Sequence, residues 1–139
     1  MGIVLYFVDK YAKSKTDYEH MTLKQTFLIG LSQALAFIPG VSRSGITITT
    51  GRFMGVDRES CAKYTFLLST PIVLGAALYK MKDFAFGELS FYIGILASFA
   101  VGVVVIKFLL EYLKKGSFKA FAIYRLIVGV FIIIMSFVI

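Results

Sequence analysis

A short polar segment, IPGVSRSGIT at residues 38–47, interrupts a strongly apolar stretch of the chain. Its proline ends a helix and its first glycine allows a turn, so that either Ser42 or Ser44 can begin a new helix. The first turn of a helix carries unpaired N–H groups at the positive end of the helix dipole, which favours an anion. Arg43 adds a planar guanidinium that suits phosphate oxygens. The hydroxyls of Ser42, Ser44 and Thr47 add further donors or, in one case, a nucleophile. The segment therefore predicts an anion site.

The alternative for Arg43 is a purely structural ion pair. An arginine at the centre of a bilayer costs at least about 2.5–3.5 kcal/mol, so it needs an anionic partner of some kind. The carboxylates of the chain are poor candidates, because Asp57 and Glu59 flank Arg58, and Glu111 lies on a distant segment. An anionic ligand is the favoured partner.

The composition of the chain indicates a membrane protein. Of its 139 residues 58% are hydrophobic and the mean hydropathy is +0.83, whereas soluble domains are about 45–50% apolar. The net charge of +7 does not indicate nucleic-acid binding, because the basic residues fall mainly between apolar runs, as in cytoplasmic loops of membrane proteins. Nucleic acid is therefore excluded as the expected partner.

The apolar runs predict an all-α integral membrane fold. A helix needs about 20 apolar residues to span the bilayer. Residues 59–80, 90–113 and 118–139 are predicted to be transmembrane helices. Residues 1–9 resemble the end of a preceding transmembrane helix, and residues 10–22 are predicted to form a cytoplasmic loop.

Residues 23–56 are predicted to form a re-entrant hairpin, because two short apolar runs meet at a Pro-Gly tip and neither run spans alone. Irregular backbone at membrane depth is tolerated only where protein or water covers it, which is typical of a site. This topology places ten basic residues on one side against Lys80 and Lys82 on the other, so the hairpin enters from the cytoplasm. The ten are Lys10, Lys13, Lys15, Lys24, Arg52, Arg58, Lys63, Lys114, Lys115 and Lys119.

The remaining chemically active side chains have structural interpretations. Cys61 and His20 are each the only residue of their type, so the chain predicts no disulfide and no metal site. Arg125, one turn inside the last helix, is expected to extend to the basic interface rather than to act in a site. Lys107 and Glu111 have the i,i+4 spacing of a helical ion pair.

The motifs resemble one known family. The pattern G-x-x-Q-x-x-A-x-x-P-G-x-S-R-S-G-x-T at residues 30–47 and the FLLSTP at residues 66–71 are similar to the C-terminal half of bacterial undecaprenyl-diphosphate phosphatases, the bacitracin-resistance family. The resemblance implies hydrolysis of the terminal phosphate of undecaprenyl diphosphate in the bacterial inner membrane, which recycles the lipid carrier of cell-wall synthesis. It also implies two inverted repeats, each with a re-entrant helix pair and three spanning helices.

Site residues follow from the same resemblance. The arginine and the active-site serine of the family correspond to Arg43 and Ser42, which are the expected catalytic residues. The expected substrate-binding residues are Gly40, Ser44, Gly45, Thr47 and Gln33. The resemblance further implies a divalent cation, Mg or Ca, whose ligands lie in the other repeat of the family.

That other repeat carries a glutamate pair, a serine and a histidine that have no match here, since His20 lies outside such a motif. The chain is therefore expected to be the phosphate-binding half of the enzyme and inactive alone, with the missing N-terminal repeat or a second copy as its partner. The alternative is a non-catalytic membrane module that binds or transports a lipid phosphate.

Overall fold

A computed structural model describes residues 2–83 and 88–138 of the chain. The described residues form six α-helices, and two short 3-10 turns lie at Gln33–Phe37 and Met81–Asp83. The helices are α1 (Gly2–Tyr11), α2 (Leu23–Ser32), α3 (Arg43–Phe53), α4 (Arg58–Tyr79), α5 (Leu89–Lys115) and α6 (Lys119–Val138). The only β pairing within these residues is one isolated bridge between Thr16 and Val56. The predicted all-α class is confirmed.

Local capping explains where two of the helices begin. The hydroxyl of Thr22 accepts the backbone N–H of Gln25 at 3.2 Å, and the Gln25 side chain accepts the N–H of Thr22 at 2.9 Å. This reciprocal capping box begins α2. Asp57 begins α4 by accepting the N–H of Ser60 at 3.0 Å, where its negative charge also suits the positive end of the helix dipole.

Residues 23–56 form two short helices that pack against each other and are joined by a tight turn. The backbone N–H of Val41 donates to the carbonyl of Ile38 at 3.1 Å, with Pro39 and Gly40 between them. Gly40 has a φ of +87°, which is the conformation that a type II turn requires after proline and that glycine adopts without strain. The sequence thus correctly predicted a helical hairpin with a Pro-Gly tip, and its re-entry into the membrane stays a prediction.

Two of the described helices, Arg58–Tyr79 and Leu89–Lys115, are long and apolar enough to cross a membrane. They coincide with the predicted segments 59–80 and 90–113. Large side chains of α5 such as Leu96 and Phe99 lie on the outside of the molecule, as expected of a helix that contacts lipid. The third predicted segment, 118–139, is helical as α6, and its last residue lies outside the described part of the chain.

Interhelical contacts define a small core near the start of α4. One cluster joins Leu5, Ala62, Leu113 and Phe118, and a second joins Ile29, Val56 and Cys61. A side chain at Gly51 would place its Cβ 2.6 Å from the sulfur of Cys61, so α3 and α4 approach closely because Gly51 has none. Cys61 is buried, as its structural interpretation predicted.

The predicted pairing of Lys107 with Glu111 is wrong. Glu111 instead accepts a hydrogen bond from Lys114 at 2.8 Å, one turn nearer the end of α5. An i,i+3 partner is as close as an i,i+4 partner on a helix surface, and spacing alone does not choose between them.

Candidate functional site

The polar segment begins a helix, as the sequence predicted, and Ser42 is the N-cap of this helix, α3. The Ser42 hydroxyl accepts the backbone N–H of Gly45 at 3.2 Å, and the Ser42 carbonyl accepts the N–H of Ile46 at 2.9 Å. The N–H groups of Arg43 and Ser44 have no hydrogen-bond partner among the described residues. These two N–H groups lie at the positive end of the helix dipole, which is the geometry of an anion site.

The Arg43 side chain is half-buried beside this helix start. Within residues 2–83 and 88–138, its guanidinium forms no ion pair and no hydrogen bond to a protein group. The structural ion pair that was the alternative for Arg43 is therefore not formed with any described carboxylate. An unpaired guanidinium next to two unpaired N–H groups is suited to bind phosphate oxygens.

The other predicted residues take different positions around α3. The hydroxyls of Ser44 and Ser42 are 3.4 Å apart, so these two residues lie together with Arg43. Gly40 forms the exposed turn before them. Gln33 begins the 3-10 turn Gln33–Phe37, and its side chain has no hydrogen-bond partner in the described part of the chain.

Thr47 is turned away from the helix start. Its side chain is buried, and its hydroxyl lies 3.1 Å from the carbonyls of Arg43 and Ser44 and 3.0 Å from the hydroxyl of Thr65 on α4. In this structure Thr47 holds α3 against α4, and its contact with a substrate stays a prediction.

Sequence reasoning missed Arg125. Its Nη2 donates to the hydroxyl of Ser42 at 3.3 Å, so the side chain extends towards the motif rather than towards the basic interface. The signal was present, because Arg125 lies six residues inside α6, which is otherwise apolar beyond its first residue, and charged residues within membrane helices usually serve a site. The structure thus brings Arg125 of α6 to Ser42, the residue that precedes Arg43.

An apolar cavity of about 200 Å³ is lined by Arg125 and by Ser44, the residue that follows Arg43. Its other polar lining side chain is Thr65, and its apolar walls include Ile48, Phe66, Leu109, Phe121 and Ala122. Helices α1, α3, α4, α5 and α6 all contribute to the lining. An arginine in an otherwise mostly apolar lining suits a ligand with a charged headgroup on an apolar chain.

A buried ion pair anchors the opposite end of α3. Arg52 is 1% exposed, and its Nε donates to the carboxylate of Asp9 at 2.9 Å. Its other nitrogens donate to the carbonyls of Ala12 and Val56 and to the hydroxyl of Ser14. Arg58 donates to the same Asp9 oxygen at 2.8 Å. This anchor fixes α3 against α1 and α4.

The described residues offer no complete hydrolytic site. No carboxylate or imidazole lies within hydrogen-bond distance of Ser42 in residues 2–83 and 88–138. The same residues contain no group of three or more His, Cys, Asp or Glu side chains that could hold a metal ion. The donor set around Arg43 consists of N–H and O–H groups, which fits an anion and does not fit a divalent cation.

Several curated proteins of one name are similar to this chain. The chain is 46% identical to the undecaprenyl-diphosphatase of Pelotomaculum thermopropionicum over 138 residues, which cover 98% of this chain and 52% of that protein. It is 43% identical to the undecaprenyl-diphosphatase of Moorella thermoacetica over 96% of its length and 52% of the relative. The undecaprenyl-diphosphatase of Caldicellulosiruptor bescii is 48% identical over 89% of this chain and 48% of the relative.

The chain spans about half the length of these relatives. Residues 1–131 match the family described as bacitracin resistance protein BacA, and this match includes the hairpin, the anchor and the helix that carries Arg125. The chain therefore belongs to the bacitracin resistance protein BacA family.

Proposed function

We propose that this chain is the phosphate-binding half of an undecaprenyl-diphosphate phosphatase. The full enzyme hydrolyses undecaprenyl diphosphate to undecaprenyl phosphate and phosphate, recycling the lipid carrier for cell-wall synthesis and conferring bacitracin resistance. The observation that carries the proposal is the unpaired guanidinium of Arg43 at the start of α3, where a second arginine, Arg125, contacts the neighbouring Ser42. The names of the relatives support the substrate.

In this proposal the start of α3 holds the diphosphate. Arg43 and the free N–H groups of Arg43 and Ser44 bind phosphoryl oxygens, and they neutralise negative charge as it builds up in the transition state. Gly40, Gly45, Thr47 and Gln33 shape the surrounding turn. The adjoining apolar cavity lies next to the first part of the prenyl chain.

Ser42 is the proposed catalytic hydroxyl. It already accepts hydrogen bonds from the Gly45 N–H and from Arg125, and such donors stabilise negative charge on its oxygen. A base must remove its proton or activate water, and none lies beside it among the described residues. The base and the ligands of a divalent cation, Mg or Ca, are therefore assigned to the N-terminal repeat of the enzyme, and this chain alone is inactive.

The proposed topology is a re-entrant hairpin at residues 23–56 followed by three spanning helices, in a multi-pass protein of the bacterial inner membrane. The supporting observation is the buried anchor, in which the carboxylate of Asp9 accepts hydrogen bonds from Arg52, from Arg58 and from the backbone N–H of Phe118. These contacts bring the end of α1 and the starts of α4 and α6 to one level. This arrangement agrees with a single basic, cytoplasmic side.

A second candidate function is a non-catalytic membrane module that binds or transports a lipid phosphate. The absence of a proton acceptor beside Ser42 within the described part of the chain favours it. The two candidates differ in one respect, since the enzyme half gains activity when the N-terminal repeat is supplied and the binding module does not.

Binding of a C15 prenyl diphosphate to the purified chain in detergent tests the proposal. The Arg43→Gln variant is expected to bind about 10- to 100-fold more weakly, because a charge-assisted hydrogen bond contributes about 1.5–3 kcal/mol. The matched control is Lys24→Gln, which removes an exposed basic residue at the start of α2. Equal affinity in both variants would contradict the proposed site.

An assay of phosphate release tests whether this chain needs the N-terminal repeat for activity. The chain alone is expected to release no phosphate, and co-expression with the N-terminal half of the Pelotomaculum thermopropionicum relative is expected to give Arg43-dependent release. Rapid Arg43-dependent release by the chain alone would contradict its assignment as an inactive half. No release from the pair, with binding intact, would favour the binding module.

A further inference from the structure

Helix α1 separates the two helices that carry the arginines of the site. It packs against α3, which begins at Arg43, and against α6, which carries Arg125. In the part of the chain that the structure describes, α3 and α6 have no comparable packing with each other. The relative position of the two arginines therefore depends on how α1 holds each helix.

One carboxylate on α1 contacts both helices. The Oδ1 atom of Asp9 accepts the Nε of Arg52 at 2.9 Å and the Nε of Arg58 at 2.8 Å. Its Oδ2 atom accepts the backbone N–H of Phe118, just before α6, at 3.3 Å. Asp9 is 4% exposed, so these three donors replace water around a buried charge.

Both helices extend from this carboxylate to the same serine. Arg43 lies nine residues before Arg52 on α3, which is about 13 Å at 1.5 Å per residue. Arg125 lies seven residues after Phe118, or about 10 Å along α6. Their far ends meet where Arg125 donates to Ser42 at 3.3 Å. A shift of either helix at Asp9 would change the separation of the two arginines.

Arg52 cannot leave this anchor to bind a ligand. Three of its four other N–H donors are taken by the carbonyls of Ala12 and Val56 at 2.9 and 2.8 Å and by the hydroxyl of Ser14 at 3.0 Å. The guanidinium is fixed on four sides, and its position fixes the end of α3. Asp9 thus acts on the site only through the helices that it holds.

We propose that Asp9 is a positioning residue that sets the spacing between Arg43 and Arg125 and thereby favours anions with two linked phosphoryl groups over a single phosphate. This inference rests on the proposed function, because it assigns one phosphoryl group to each arginine. A single phosphate needs only one arginine and the start of α3, so its affinity depends less on the spacing.

The experiment compares two probes, sodium diphosphate and sodium phosphate, by calorimetry on the purified full chain in detergent. Wild type is expected to bind diphosphate more tightly. Asp9→Asn replaces one acceptor oxygen with an NH₂ group, so either the arginines or the Phe118 N–H then face a donor. The ratio of the two dissociation constants is expected to fall about tenfold in Asp9→Asn, the equivalent of one charge-assisted hydrogen bond, with phosphate affinity changed less than twofold.

If Asp9 only stabilises the fold, Asp9→Asn does not change the ratio of the two dissociation constants. Partial unfolding lowers the fraction of molecules that bind, which calorimetry reports as stoichiometry, and leaves the ratio of dissociation constants unchanged. The matched control is Tyr64→Phe, which removes the hydrogen bond from the Tyr64 hydroxyl to the Thr26 carbonyl at 3.1 Å. That bond joins α4 to α2, neither of which carries an arginine of the site, so the ratio is expected to stay at the wild-type value.

An unchanged ratio in folded Asp9→Asn, with wild type binding both anions through Arg43, overturns this inference alone. Absence of Arg43-dependent binding in wild type overturns the proposed function itself. If Asp9→Asn does not fold, Arg58→Gln replaces it, because Arg58 is about one-third exposed and the Arg52 contact remains. A fall of about threefold in the ratio is then expected, and no fall overturns the inference.

Discussion

The two ends of α3 carry arginines that differ in burial and in hydrogen-bond partners. Arg52 near the end of the helix is buried and donates to four protein groups, one of them the carboxylate of Asp9. Arg43 at the start is half-buried and has no partner for its guanidinium among the described residues. The same residue type is therefore an anchor at one end and, at the other, an unpaired group that is the proposed ligand for phosphate.

This difference shows how a structural arginine can be told from a functional one. A buried charge is tolerated when its partners replace the lost water, and Arg52 has them within the chain. Arg43 lacks them, so an anion from outside the described residues is the natural partner. Arg125 falls between these states, with one long hydrogen bond to Ser42.

Loss of the anchor is expected to have the largest effect on folding. Arg52→Ala leaves Asp9 buried without its main partner, which is expected to lower the free energy of unfolding by about 3–5 kcal/mol. Arg43→Ala removes no hydrogen bond or ion pair of the guanidinium with the described residues and is expected to change the free energy of unfolding by less than about 0.5 kcal/mol. Denaturant unfolding of both variants in detergent measures the difference, and equal losses would remove the distinction between the two arginines.

The Ser42 cap at the start of α3 is expected to contribute less to the free energy of unfolding than the Arg52 anchor does. Ser42→Ala removes the acceptor of the Gly45 N–H and is expected to cost about 1 kcal/mol. Ser44→Ala is the matched control, because within residues 2–83 and 88–138 the Ser44 hydroxyl forms a hydrogen bond only with the Ser42 hydroxyl, and its expected cost is below about 0.5 kcal/mol. The same unfolding measurement applies, and a larger loss in Ser44→Ala would contradict the assignment of Ser42 as the cap.

Loss of the exposed ion pair between Asp17 and His20 in the polar loop is expected to have the smallest effect on the free energy of unfolding. Asp17 beside His20 raises the pKa of the imidazole, chiefly by a hydrogen bond, and that bond lowers the pKa of Asp17. The small contribution of the charged His20 to the free energy of unfolding is full below pH 6.5, and it is lost as the pH rises through the raised pKa of this residue. The contribution of Asp17 is full above pH 3.8 and is lost as pH falls through its lowered pKa.

Asp17→Asn is therefore expected to return the pKa of His20 towards 6.5, as measured by NMR titration. Unfolding is expected to stay unchanged, because exposed pairs are screened by water. A marked loss of stability would show that exposure is a poor guide to which charged pairs hold the fold.

Local signals in the sequence predicted the parts of the fold that depend on local chemistry. The Pro-Gly pair predicted the turn between the hairpin helices, and the two serines limited the start of α3 to Ser42 or Ser44, of which Ser42 is the cap. The apolar runs specified α4 and α5. Each of these features depends on residues within a few positions of one another, so the local sequence is enough to predict it.

Contacts between distant segments were not predicted. Asp9 and Arg52 are 43 residues apart, and Arg125 and Ser42 are 83 apart. Neither spacing carries a signal of its own, because the path of the chain between the two positions decides whether they meet. Thr47 was assigned to the ligand from its place in the motif, whereas the helix turn directs its hydroxyl towards Thr65.

The linker after α3 has a mechanical consequence. The carbonyl of Gly55 accepts the N–H groups of Lys15 and Thr16 at 2.7 and 3.1 Å, and the N–H of Asp57 donates back to Thr16 at 2.9 Å. These bonds clamp the same end of α3 that Arg52 anchors, whereas the Pro39–Gly40 tip is exposed. The hairpin is thus fixed at its base and exposed at its tip, so that in the proposed function the tip is the part that adjusts to a headgroup while the base stays in place.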